Sequence, residues 1–162
     1  MQNKKVEIEF DENFILSDHK QNIDKVLDNL YIGSSRGALD KKYLDELNIK
    51  NILVCGNDLR LFFPKAFNYK VISIIDDPEE NILSYFKECI EFIDSNNITF
   101  VHCKRGVSRS ATIVIAYLMW KLKISYEDAY KFLKAKRLVV CPNQGFIKQL
   151  KKYEELLKEN EI

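Results

Sequence analysis

The stretch Ile98-Thr99-Phe100-Val101-His102-Cys103-Lys104-Arg105-Gly106-Val107-Ser108-Arg109-Ser110 decides how the rest of the chain is read. A short apolar run leads into it, and a longer one, Ala111 to Trp120, leads out. That order predicts a buried strand, a tight polar loop and then a helix. Backbone N–H groups at a helix start attract anions, and Arg109 adds a guanidinium at the same place. With Cys103 at its floor, the loop is an anion site that holds a nucleophile.

Outward from this loop, apolar strands alternate with helices. Ile23 to Gly33 predicts two short strands around the Asp28-Asn29 turn, and Asp40 caps a helix over 41–47. Asn51 to Cys55 and Lys70 to Ile75 predict two further strands, each closed by turn residues. A helix is expected from about Ile82 to Ser95, with Leu83, Phe86, Ile90 and Ile93 on one face. Downstream, Ser125 caps a helix that turns Ala129, Phe132 and Leu133 inward. Pro142-Asn143 then opens the last helix, from Gly145 to about Lys158. The fold class that follows is α/β, a central, mostly parallel sheet flanked by helices. No repeat or linker divides it. Residues 1–22 read as a polar N-terminal arm with a short strand at Val6 to Phe10, and 23–162 as one catalytic domain.

The chain's 25 Lys and Arg nearly balance its 24 Asp and Glu, so no broad basic field is available to hold nucleic acid. The four cysteines form no CxxC pair, and the two histidines do not complete a ligand set, so neither metal nor cofactor is expected. Met1-Gln2-Asn3-Lys4-Lys5 is not an export signal, and no apolar run is long enough for membrane insertion. The expectation is a cytoplasmic (or nuclear) protein with reduced thiols.

Cations beside Cys103 favour its thiolate, the nucleophilic form. An inert core cysteine would not stand among Lys104, Arg105, Gly106, Ser108 and Arg109. His102, one strand position away, points to the opposite face and orders the loop by hydrogen bonding. Gly106 bends the chain, successive N–H groups form a nest, and the planar fork of Arg109 fits phosphoryl oxygens. Ser110 can hydrogen-bond the cysteine as it leaves. These parts suit phosphoryl transfer through a thiophosphate. The reaction also needs an acid for the leaving oxygen and a base for water. Asp76 and Asp77, both at a neighbouring strand end, each fit.

The run His102 to Ser110 matches the HCxxGxxRS loop of the cysteine-dependent protein tyrosine phosphatases, and the wider chain resembles their small, atypical dual-specificity members. Leu30-Tyr31-Ile32-Gly33-Ser34 is similar to the family's N-terminal strand. Asp76 followed by Asn81 to Phe86 is similar to its acid loop and helix, and Arg137 to Leu150 to its closing PNxGFxxQL block. The match runs from about Val26 to Leu157. It implies the phosphatase fold, a metal-free two-step mechanism, and phosphorylated protein substrates bearing phosphotyrosine, phosphoserine or phosphothreonine. It assigns the nucleophile to Cys103 and phosphate binding to Lys104, Arg105, Gly106, Val107, Ser108 and Arg109. The family's spacing to Phe86 selects Asp76 over Asp77 as acid. His102, Ser110 and Asn143 are supporting residues, Asn143 as a brace for the phosphate loop.

Arg105 departs from the Ala, Glu or Gln of many relatives. It reads first as a solvated side chain framing the pocket, and second as a preference for acidic or multiply phosphorylated substrates, phosphoinositides included. Related phosphoinositide phosphatases carry a cysteine at the position of Cys55, where it can form a reversible disulfide with the nucleophile. Cys55 is therefore either that redox partner or a small apolar strand residue. Alternatives to a protein phosphatase are a phosphoinositide or RNA phosphatase and a non-catalytic phosphosite-binding module. The oligomeric state is open.

Overall fold

The computed structural model describes residues 22–160. The strand expected at Val6 to Phe10 lies outside them. Strand β1 (Ile23–Leu27) turns at Asp28-Asn29 into β2 (Leu30–Gly33), followed by the short helices α1 (Ser35–Ala38) and α2 (Lys41–Glu46). Strands β3 (Ile49–Cys55) and β4 (Asn68–Ile72) come next, then a 3-10 turn (Leu83–Tyr85) running into α3 (Phe86–Ile93). Strand β5 (Ile98–His102) feeds α4 (Arg109–Leu122), α5 (Tyr126–Lys136) and α6 (Gln144–Glu159).

The five strands lie in the order β1-β2-β5-β3-β4. Only the β1–β2 hairpin is antiparallel; β2–β5, β5–β3 and β3–β4 are parallel. The expected mostly parallel sheet is therefore present, with β5 at its centre. Strand alternation divides the core in two. Leu53, Cys55, Val101 and Cys103 face α3–α6, whereas Ile52, Val54 and Phe100 face Leu44 of α2 and Phe67 of the β3–β4 loop. Every residue of α4 from Ala111 to Met119 is buried. A helix apolar on all sides belongs at the centre of a domain, and α4 packs against the sheet, α3, α5 and α6. Its first turn is thereby fixed where β5 ends.

Side-chain caps open three helices, two of them, at Asp40 and Ser125, as the sequence predicts. Asp40 accepts from the Tyr43 amide, Ser125 from that of Asp128 and Asn143 from that of Phe146. Two elements differ. The strand expected over Lys70 to Ile75 is Asn68–Ile72, because its partner β3 ends at Cys55, opposite Ile72, and the Gly56 amide closes the ladder on the Ile72 carbonyl. Beyond it Ile75 is exposed. The helix expected from Ile82 begins as the 3-10 turn and stops at Ile93, where the Asp94 amide bonds the Ile90 carbonyl. In α5, Ala129 and Leu133 are buried as expected, while Phe132 is half-buried beneath the Lys136 ammonium, 5.4 Å from its ring.

Candidate active site

The loop from Cys103 to Ser108 is shaped by what its carbonyls do. The Cys103 carbonyl accepts from His102 Nδ1 at 3.1 Å, and that of Lys104 from the Ser35 amide and hydroxyl, both at 3.1 Å. Arg137 donates through Nη2 to the Arg105 carbonyl and through Nε to that of Gly106, each at 2.9 Å. The Cys141 amide bonds the Val107 carbonyl at 2.7 Å, and Thr112 bonds that of Ser108 through both amide and hydroxyl. Each carbonyl is thus tied to the scaffold. Since a trans peptide sets its N–H opposite its C=O, the N–H groups of this loop turn to its inner side. Gly106 makes the bend at φ 68°, where a Cβ would strike the Gly33 carbonyl.

Inside lies a cavity of about 200 Å³ lined by Asp76, Cys103, Lys104, Arg105, Val107, Ser108 and Arg109. Cys103 Sγ lies 3.1 Å from Ser110 Oγ and accepts from the Gly106 amide at 3.3 Å. Lys104 and Arg105 are exposed at the rim, while the Arg109 guanidinium is buried. Arg109 Nη1 donates to Asp58 Oδ1 at 2.9 Å and to the Ile74 carbonyl at 3.3 Å, which sets the plane of its fork.

His102 is buried on the far side of β5, stacked on the Phe100 ring 5.5 Å away. Burial, against a weaker pull from the Cys103 carbonyl, lowers its pKa to about 4. It is therefore the neutral tautomer with the proton on Nδ1, bonded to Cys103 O, as its expected ordering role requires.

Asp76 is exposed and reaches the cavity; its Oδ1 accepts from Asn143 Nδ2 at 2.9 Å. Asp77 instead folds back on the Glu79 amide at 2.8 Å in an Asx turn. The loop that carries Asp76 and Asp77 is clamped onto α6. Gln149 accepts from the Leu83 amide and donates to the Glu80 carbonyl, and Gly145 packs so closely on the Pro78 carbonyl that a Cβ could not fit. Asn143 was expected to brace the phosphate loop. Its main-chain amide does so, through Ser108 Oγ at 3.0 Å, but its side chain holds Asp76 and caps α6.

Cys55 follows the pair Val54–His102 in the β3–β5 register, so it stands beside Cys103 on the same face of the sheet. It is fully buried, and burial, with smaller contributions from Cys89 and Cys103, pushes its thiol well up.

A model of the dual specificity phosphatase catalytic domain matches residues 30–156. The chain belongs to the dual specificity phosphatases. These are protein phosphatases, hydrolases of phosphoric monoesters in phosphoproteins. A Dictyostelium discoideum protein named as a probable dual specificity protein phosphatase is 43% identical over 158 residues, covering 88% of this chain and 68% of its own. Dual specificity protein phosphatase 1 of Arabidopsis thaliana is 41% identical, covering 80% of this chain and 67% of its own. The chain spans 36% and 16% of two longer D. discoideum relatives. Among solved structures, the human tyrosine phosphatase-like serine/threonine/tyrosine-interacting protein superposes with a TM-score of 0.81 at 32% identity, covering 84% of this chain and 97% of its own. No helix among the described residues of this phosphatase is long and apolar enough to cross a membrane.

Two residues of the site carried no functional assignment from sequence. Arg137 is buried, holds two loop carbonyls and pairs with Asp24 Oδ2 at 2.8 Å. Asp58, about half exposed, orients Arg109 from the β3–β4 loop. An arginine inside an otherwise apolar α5–α6 junction was the available signal for the first. Nothing local distinguishes the second from an ordinary turn aspartate.

Proposed function

We propose that this domain hydrolyses phosphotyrosine and phosphoserine or phosphothreonine in proteins through a cysteinyl-phosphate intermediate. The observation that carries the reading is the tethering of the carbonyls from Cys103 to Ser108, which turns the loop's amides inward, that of Gly106 onto the Cys103 sulfur. In the first step the Cys103 thiolate attacks phosphorus, the bond to the substrate oxygen breaks, and Asp76 gives that oxygen its proton. The loop amides and the Arg109 fork hold the equatorial oxygens, where transition-state charge is spread. In the second step water attacks phosphorus, Asp76 takes its proton, and the sulfur departs as thiolate toward Ser110, releasing inorganic phosphate.

Lys104 and Arg105 frame the entrance and set its charge. Phosphoinositide or RNA turnover is not favoured by the D. discoideum and A. thaliana relatives described above, which are named as protein phosphatases. Hydrolysis of matched phosphotyrosine and phosphothreonine peptides beside a phosphoinositide and a 5′-phosphorylated RNA tests the substrate class. Peptide turnover abolished in Cys103→Ser is expected; turnover confined to lipid or RNA would refute it. The juxtaposition of Cys55 and Cys103 further supports a reversible disulfide between them under peroxide. If Cys55→Ser recovers activity with dithiothreitol as fully as the parent does, that pairing is wrong.

A further inference from the structure

Leu138 and Val139, 77% and 54% exposed, are adjacent large apolar side chains on the surface beside the catalytic loop. Single exposed apolar residues are ordinary, whereas neighbouring ones lining a concavity mark a binding surface. These two line a groove of about 690 Å³ with Asp24, Arg105, Val107, Ala135, Lys136 and Arg137. Arg105 and Val107 line the catalytic cavity as well, so the groove adjoins the cavity.

The segment that presents them is fixed at both ends. Arg137 is tied to the Arg105 and Gly106 carbonyls and to Asp24, the Cys141 amide is tied to the Val107 carbonyl, and Val140 between them is buried. Leu138 and Val139 therefore sit on a rigid ledge whose position relative to Cys103 is set by the phosphate loop itself. A preformed apolar surface binds at low ordering cost.

We propose that this groove seats an apolar side chain of the substrate polypeptide, a few residues from the phosphorylated one, with an acidic residue beside it. The inference rests on the protein-phosphatase reading. Charge selects the occupant. Arg105 and Lys136 are exposed cations on the groove, whereas the Asp24 carboxylate is already paired with Arg137. A second copy docked through the same patch would oppose these cations to themselves. A concave surface fits a projecting side chain better than a flat bilayer.

The test compares the parent with Leu138→Ser/Val139→Ser and with Lys136→Glu. Substrates are an aryl phosphate and phosphotyrosine peptides scanned with Leu, Asp or Ser at each flanking position. The double variant is expected to lose about tenfold in kcat/KM for the best Leu-containing peptide, the scale of burying one aliphatic side chain. It should be unchanged on the Ser counterpart and on the aryl phosphate. Lys136→Glu should reverse the Asp preference. Equal Leu-to-Ser and Asp-to-Ser ratios in parent and variants would overturn the proposal while leaving the chemistry intact. A dimer dispersed by the double variant, or sedimentation with phosphatidylserine vesicles lost in it, would also overturn it by giving the patch to another occupant. Failure of the catalytic reading itself would appear separately, as aryl phosphate turnover that survives Cys103→Ser.

Discussion

Replacing Arg137 by Met should separate the loop's architecture from the domain's stability. The guanidinium is only 4% exposed, and its loss leaves the 18%-exposed Asp24 carboxylate without this partner and two loop carbonyls without these donors. Burial already pushes Asp24 up against the pull of Arg137, so the isolated charge is costly. Removing one member of a buried pair typically costs about 3–5 kcal/mol. A domain with roughly 5–15 kcal/mol in hand can stay folded through that. The rate should fall further than any unfolded fraction explains, because the peptides after Arg105 and Gly106 lose their orientation, and with them the amides of Gly106 and Val107. Losing one preorganised donor to a transition-state oxyanion costs roughly a hundredfold or more.

The double variant Arg137→Met/Asp24→Leu removes the stranded charge. It should regain part of the stability and none of the rate. Urea titrations and initial rates on an aryl phosphate measure both quantities. A folded Arg137→Met with parental kcat/KM, or a double variant that regains the rate, would refute the reasoning.

Asp58→Ala should cost roughly tenfold or more in kcat/KM, the scale of a hydrogen bond to a charged group, with Asp58→Asn recovering most of it; initial rates decide. Asp76→Asn should lose the pH dependence of aryl phosphate turnover that Asp77→Asn retains, since only Asp76 reaches the cavity. A pH profile altered only in Asp77→Asn would assign the acid to the other carboxylate. His102, with its pKa lowered from 6.5 to about 4, supports folding above pH 6.5 and loses that support as pH falls toward 4. The loss between pH 7 and pH 4 is about 3 kcal/mol. Urea titrations of His102→Asn should show a correspondingly shallower pH dependence than the parent.

The sheet was legible because a parallel strand buried on both faces reads as a continuous apolar run, as Ile98 to Val101 does. Cap positions Asp40 and Ser125 were legible because capping is a contact across three residues. Boundaries were less so. Ile74 and Ile75 look like strand interior, yet β4 ends with its partner at Ile72, a limit no local pattern carries. Within the site, Cys103, Gly106 and Arg109 share one short motif and could be read together. Arg137 to Gly106, Asp58 to Arg109 and Gln149 to Glu80 link residues 31, 51 and 69 positions apart. Such pairs arise only once α4, α5 and α6 have docked. The division of labour at Asn143 was hidden for the same reason, since main chain and side chain reach different loops.

The central claim is that Cys103 carries the phosphoryl group between the two steps. Acid quenching during turnover of an aryl phosphate, followed by mass analysis of the peptide containing Cys103, tests it directly. The parent should show that peptide heavier by one phosphoryl group, and Cys103→Ser should show neither adduct nor turnover. Steady turnover by Cys103→Ser, or a phosphoryl group trapped on another residue, would contradict it.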